Sequence, residues 1–179
     1  MYRLFVAIEL PEWVKAELSG LSFGLPGAHW VPDDQLHLTL RFIGEVDRFQ
    51  FEEIARALSE VQIDPFDLAL EGVGTFPPRG KPNVLWVGIE KSEPLLQLHR
   101  RVEKALVQVG VEPEKRKFSP HITLARLKDA PLNRLGEFLM GHSLFKVEPF
   151  EIEEFHLFSS QLTSKGAIHT LEATYSLLD

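Results

Sequence analysis

The segment HLTLRF at His37–Phe42 returns 84 positions later as HITLAR at His121–Arg126. In the first copy, apolar Leu36, Leu38, Leu40 and Phe42 alternate with His37, Thr39 and Arg41, the pattern of a half-buried strand. Residues two apart on a strand share a face, so His37 projects beside Thr39, and His121 beside Thr123. A single such histidine reads most simply as a solvent-facing residue of an amphipathic strand. Two copies with the threonine at the same offset ask for a common place to point.

The surrounding elements repeat as well. RLFVAIEL is a strand, and Pro11 opens a helix with Val14, Leu18 and Leu21 inward. Asp47 and Gln50 form a capping box ahead of a helix striped by Phe51, Ile54, Ala55, Leu58 and Val61. The strand FDLALEGV, the loop FPPRGKPN and the strand VLWVGIE follow. Ser92, Glu93 and Pro94 then start a helix that buries Leu95, Leu98, Val102, Leu106 and Val109 and stops at Gly110. After the second motif come a helix around Leu135–Leu139 and two strands, FEIEEFHLFSSQ and AIHTLEATYSL, joined by the turn SKG.

The offset that superposes the histidines also maps Phe66 onto Phe150 and Val84 onto Ile168, so the second half retraces the first. The expected architecture is α+β: one domain, 1–179, of two pseudo-symmetric lobes near 1–83 and 84–179. Two antiparallel sheets would line a central cleft, with helices outside and a pseudo-twofold axis between the motifs.

With no cysteine, thiolate nucleophiles, disulfides and cysteine-held metals are excluded. The apolar run at the N-terminus is too short to span a bilayer and is interrupted by Glu9, so a cytoplasmic protein without a membrane partner is expected; a monomer is the expected state. A formal charge of −7 argues against gripping long stretches of nucleic acid, while a ligand with one phosphate fits. The GLSFG segment around Ser22 matches a serine-hydrolase elbow only formally, because it follows a helix instead of a strand. No phosphate-binding glycine loop is present, and neither motif strand offers a second imidazole for a metal; no metal or other cofactor is expected.

Opposed histidines suit a reaction in which one imidazole accepts a proton and the other donates one, and phosphodiester cleavage is such a reaction. Thr39 and Thr123 would donate to the phosphoryl oxygens. By alternation Arg41 shares the face of His37 and is a candidate to neutralise a phosphate, whereas Arg126 falls on the wrong face and reaches the cleft only if the strand bulges. Phe42, Phe118 and Trp86 are candidates to stack a base, against the commoner core role of strand aromatics. Of the other histidines, His29, His99, His142 and His156 read as structural, and His169 is placed to line the same cleft.

RLFVAIELP, WVPDDQLHLTLRFIGEV, VLWVGIE, FSPHITLARL and SKGAIHTL together resemble the 2H phosphoesterase superfamily, specifically the RNA 2′,3′-cyclic phosphodiesterases historically called 2′-5′ RNA ligases. The likeness covers most of the chain. It implies a bilobal α+β fold and a metal-independent hydrolysis of RNA 2′,3′-cyclic phosphate ends to 2′-phosphate, with 2′-5′ joining as the reverse sense. RNA ends of this kind, tRNA fragments included, or small cyclic nucleotides would be the partners. It also implies His37, Thr39, His121 and Thr123 as the catalytic set, with Arg126 in the arginine place after the second motif; His37 is taken as proton donor to the 3′ oxygen and His121 as acceptor from water, because water attacks opposite the leaving oxygen. His169 stands where the family usually has an aromatic residue. A phosphodiesterase for another small 2′-5′ or cyclic nucleotide, and a non-catalytic RNA-end binder, are the competing readings.

Overall fold

The computed structural model describes residues 1–177. In chain order it runs β1 (Tyr2–Glu9), α1 (Glu12–Ser19), β2 (Ala28–Trp30), β3 (His37–Val46), α2 (Arg48–Leu58), β4 (Phe66–Phe76), β5 (Val84–Ile89), α3 (Glu93–Gln108), β6 (His121–Leu127), α4 (Leu132–Gly141), β7 (Lys146–Ile152), β8 (Glu154–Thr163) and β9 (Gly166–Ser176). The chain is α+β, as the alternating patterns require.

Local chemistry sets the helix ends. Asp47 accepts from the Gln50 amide while the Gln50 side chain accepts from the Asp47 amide, completing the capping box of α2. Ser92 caps α3, Pro94 occupies its first turn, and Gly110 beyond its end takes φ +94°, open to glycine at little cost. Leu95, Leu98, Val102, Ala105 and Leu106 form the buried stripe of α3.

The strands make one continuous sheet ordered β7-β4-β5-β6-β3-β1-β8-β9, with β2 also paired to β6. All pairings are antiparallel. The expected pair of sheets is therefore joined, though only through one residue pair, Leu38 opposite Ile122, in the middle of the two motif strands. On the outer face, Leu4, Val6, Ile8, Leu38, Leu40, Leu85, Val87, Ile122 and Leu124 pack with the helix stripes into a single core spanning both halves. That leaves the inner face of the curled sheet for the polar residues.

Two expectations need correction here. The half-sheets are not the sequence halves: β4 pairs with β5 and β7, while β8 and β9 return to extend β1. Phe66 and Phe150 consequently lie on directly paired strands of the same half, and Val84 in β5 has its positional counterpart in β1, not in the β9 strand of Ile168. The 84-residue offset holds for the motif strands and fails for the strands further out, because the chain passes to the other half after α2, stays there through β7, and returns only with β8.

Candidate functional site

The two histidines begin adjacent antiparallel strands whose shared pair is Leu38 and Ile122. In that register His37 lies toward Thr123 and His121 toward Thr39, so the H-x-T motifs meet head to tail on the inner face.

Each ring is oriented in the same way. His37 Nδ1–H donates to the Gln35 carbonyl at 2.6 Å, and His121 Nδ1–H to the Ser119 carbonyl at 2.7 Å. A carbonyl can only accept, so Nδ1 carries the proton and Nε2 of a neutral ring is left as the acceptor. The Thr39 hydroxyl donates to His37 Nε2 at 2.9 Å.

The surroundings differ. His37 is packed against Phe5 (ring centroids 5.1 Å) and His169 (5.6 Å). Desolvation pushes its pKa down to about 4, with the charges of His169, His121 and Lys15 adding to the effect and the Gln35 carbonyl opposing it. His121 meets Phe76 edge-on at 4.9 Å, and Phe76 lies 5.4 Å from Trp86. The Trp86 indole lies against Gly74, where an added Cβ would sit 2.3 Å from the ring.

Both motif strands carry a bulge just after the threonine. Against β1, Ala7 faces Thr39 and Val6 faces Arg41, skipping Leu40; against β5, Trp86 faces Thr123 and Leu85 faces Ala125, skipping Leu124. A bulge reverses the alternation beyond it. Arg126 is accordingly exposed on the face of His121 and Thr123, and the condition set for it by strand parity is met.

Arg41 is corrected by the same device. It turns to the outer face, is 6% exposed, and donates to Glu103 at 3.1 Å and to the carbonyls of Phe42 and Glu112. Phe42 takes the inner face in its place, 56% exposed and 5.7 Å from Phe5. Phe118 is not brought to the histidines: it precedes β6, stacks on His99 of α3 at 3.9 Å and packs on the core.

His169 does join the group, edge-on to both His37 and Phe5. The Gln35 side chain, donating to the Ala167 carbonyl, ties the β8–β9 hairpin to the backbone that holds His37. His156 is buried, bonded to Thr174, with Glu9 and Glu154 within 4.0 Å of Nε2. Sequence reasoning missed Phe5, Phe76 and Gln35. For Gln35 a signal was present, since it and Ser119 each stand two residues before their histidines.

Among the described residues no helix is long and apolar enough to cross a membrane, and no cluster of three or more His, Asp or Glu is arranged to hold a metal ion.

A family profile described as the 2′-5′ RNA ligase superfamily matches residues 10–163. The RNA 2′,3′-cyclic phosphodiesterase of Archaeoglobus fulgidus is 36% identical over 171 residues, covering 93% of this chain and 96% of that protein. Its Thermotoga maritima namesake is 35% identical over 173 residues, covering 93% and 91%. Among solved structures, TT0787 of Thermus thermophilus superposes with a TM-score of 0.80 at 30% identity over 98% of this chain and 97% of that one. E. coli LigT complexed with 3′-AMP gives 0.78 at 25% identity over 99% of both.

Proposed function

This chain belongs to the 2′-5′ RNA ligase superfamily, and from that membership we propose that it hydrolyses RNA 2′,3′-cyclic phosphate ends to 2′-phosphates by paired-histidine acid–base catalysis, without a metal. The observation that carries the reading is the twofold arrangement of imidazoles beside the shared strand junction, each with Nδ1 tied to a backbone carbonyl and Nε2 as the acceptor, in His37 from the Thr39 hydroxyl.

In the proposed step His121 takes a proton from water as its oxygen attacks phosphorus. The P–O3′ bond breaks, and His37 delivers a proton to the departing O3′. In-line displacement puts water and leaving oxygen on opposite sides of phosphorus. The apolar wall of Phe5 and Phe42 beside His37 suits the nucleoside, and the side of His121 suits the water. Thr39, Thr123 and Arg126 would hold the phosphoryl oxygens, whose charge grows in the transition state. Arg41 is left out of this set because its guanidinium is engaged on the outer face.

Burial keeps His37 neutral in the free chain. A phosphate anion between the rings supplies the missing counter-charge, so the proton His37 donates is taken up together with the substrate. When an RNA 5′-hydroxyl replaces water, the same bond changes yield a 2′-5′ linkage.

The test is turnover of a 2′,3′-cyclic nucleotide with product identification. His37→Ala and His121→Ala should each lower kcat by about 10²- to 10⁴-fold, with unchanged circular dichroism, a rate that rises and then falls with pH, and no effect of EDTA. Full activity in His37→Ala sinks the mechanism. End-binding without product in the unaltered chain favours a binding protein, and turnover confined to 2′-5′ oligonucleotides favours the other small-substrate reading.

A further inference from the structure

The formal charge of −7 is distributed unevenly. Segment 66–152, which supplies β4 to β7, α3 and α4, holds 13 basic and 11 acidic residues, whereas the rest of the chain holds 6 basic and 15 acidic. The contrast sharpens near the site. From Gly72 to Ile89 the charged residues are Arg79 and Lys81, and from Lys115 to Lys128 they are Lys115, Arg116, Lys117, Arg126 and Lys128, with no acid in either stretch. On the opposite side of the junction, β1, β3 and the turn before β3 contribute Glu9, Asp33, Asp34 and Glu45 against Arg3, while Arg41 is buried and paired with Glu103.

Backbone contacts gather four of these cations at one end of β6. Arg126 pairs with Val84, the Leu127 amide donates to the Asn83 carbonyl, and Lys81 in the same loop bonds Asp129. Arg79, Arg126 and Lys128 are exposed and form no ion pair among the described residues. A hollow of about 610 Å³ opens between this loop and the start of α4, lined by Lys81, Pro82, Asp129 and Leu132. At the other end of β6, Lys115, Arg116 and Lys117 are offset by Glu112 and Glu114, and Arg116 is paired with Glu114.

We infer that the single-stranded RNA 5′ to the reacting end leaves the site past Arg126 over this C-terminal end of β6, its phosphates tracking Lys128 and Arg79. The net acidic side formed by β1, β3 and the turn before β3 repels a polyanion, and the opposite end of β6 has little net charge. The placement also suits a nucleotide. Phe42 lies toward the N-terminal end of β6 in the antiparallel register, so a base there and a 5′-phosphate beyond Arg126, toward Lys128, would depart from opposite ends of the ribose, from C1′ and C4′.

This inference rests on the proposed function, and the experiment separates the two. kcat/KM is measured against KCl for a 2′,3′-cyclic mononucleotide and for a short unstructured oligoribonucleotide ending in the same group. The oligonucleotide should be preferred, with a log–log salt slope steeper by about 0.7 for each phosphate contacted. R79E/K128E should lower the oligonucleotide-to-mononucleotide ratio by about 10-fold, and K115E/K117E should leave that ratio in place; R79A/K128A gives a smaller loss of the same sign should the reversal impair folding. Equal salt slopes for the two substrates, or loss of the ratio in K115E/K117E and not in R79E/K128E, overturn the inference while the hydrolytic reading stands. Absence of turnover on both substrates overturns both.

Discussion

Arg41 and Arg126 stand five or fewer residues beyond their motif histidines, yet they have opposite employments. Arg41 is a buried cation whose Nε meets Glu103 and whose remaining donors reach backbone carbonyls across to the segment after α3. Removing it leaves Glu103, only partly solvated, without its partner, a loss of about 3 kcal/mol. Arg126 is exposed and forms no ion pair among the described residues. Arg41→Ala should therefore lower the denaturation midpoint with kcat little changed in the folded fraction, while Arg126→Ala should lower kcat/KM by 10-fold or more with an unchanged midpoint. Urea melts paired with steady-state rates distinguish the two, and an exchange of these phenotypes contradicts the bulge argument. The histidines illustrate the same dependence on surroundings: identical Nδ1 anchoring leaves His37 desolvated between Phe5 and His169 and His121 edge-on to a single phenyl ring.

At the scale of elements, the paired bulges decide what the motif strands present. Ideal alternation would carry Phe42 to the core and Arg41 to the site; one skipped partner opposite β1 exchanges them, and its counterpart opposite β5 brings Arg126 inward. The strands behind the motifs are shaped to receive aromatic rings. Gly74 in β4 faces Trp86 in β5, and the indole occupies the volume where any side chain at 74 would go. Gly74→Ala is thus an overpacking change, expected to cost roughly 2 kcal/mol and to displace Trp86, then Phe76, then the His121 ring that Phe76 touches. A shifted tryptophan emission spectrum together with reduced kcat is the expected result; a wild-type rate with a wild-type melt would show that the ring has room to move.

Across the whole molecule, one core ties both half-sheets together, so the site is held by packing from either side of a junction that has a single ladder pair of its own. The same packing has a cost in acid. His37, His99, His156 and His169 all have pKa values lowered by burial. The unfolded chain binds protons that the folded chain refuses, so stability present above the unfolded value is lost as pH falls. For His37 the window runs from 6.5 down to about 4, with a slope of at most about 1.4 kcal/mol per pH unit. His37→Gln should flatten the decline of the denaturation midpoint across that window, and an identical decline in both chains would mean that His37 is solvated.

The primary structure alone determined the four helices, most strands and the partnership of the two motifs, because strand and helix periodicities, the Asp47 and Ser92 caps and the repeated H-x-T spacing are local properties; it missed β2 and read FEIEEFHLFSSQ as one strand, which breaks at Glu153 into β7 and β8. It also foretold that Arg126 needed a bulge, since parity along a strand is fixed by covalent geometry. What the chain could not announce is where such a bulge falls, for that is a matter of two strands in register and not of either one. Tertiary structure therefore decided which arginine faces the site, that Phe118 stacks on α3, that Phe5 and Gln35 brace His37, and that β4, β8 and β9 change sides. Each of these is a contact between segments far apart in sequence, settled by hydrogen-bond pairing and packing over the whole core.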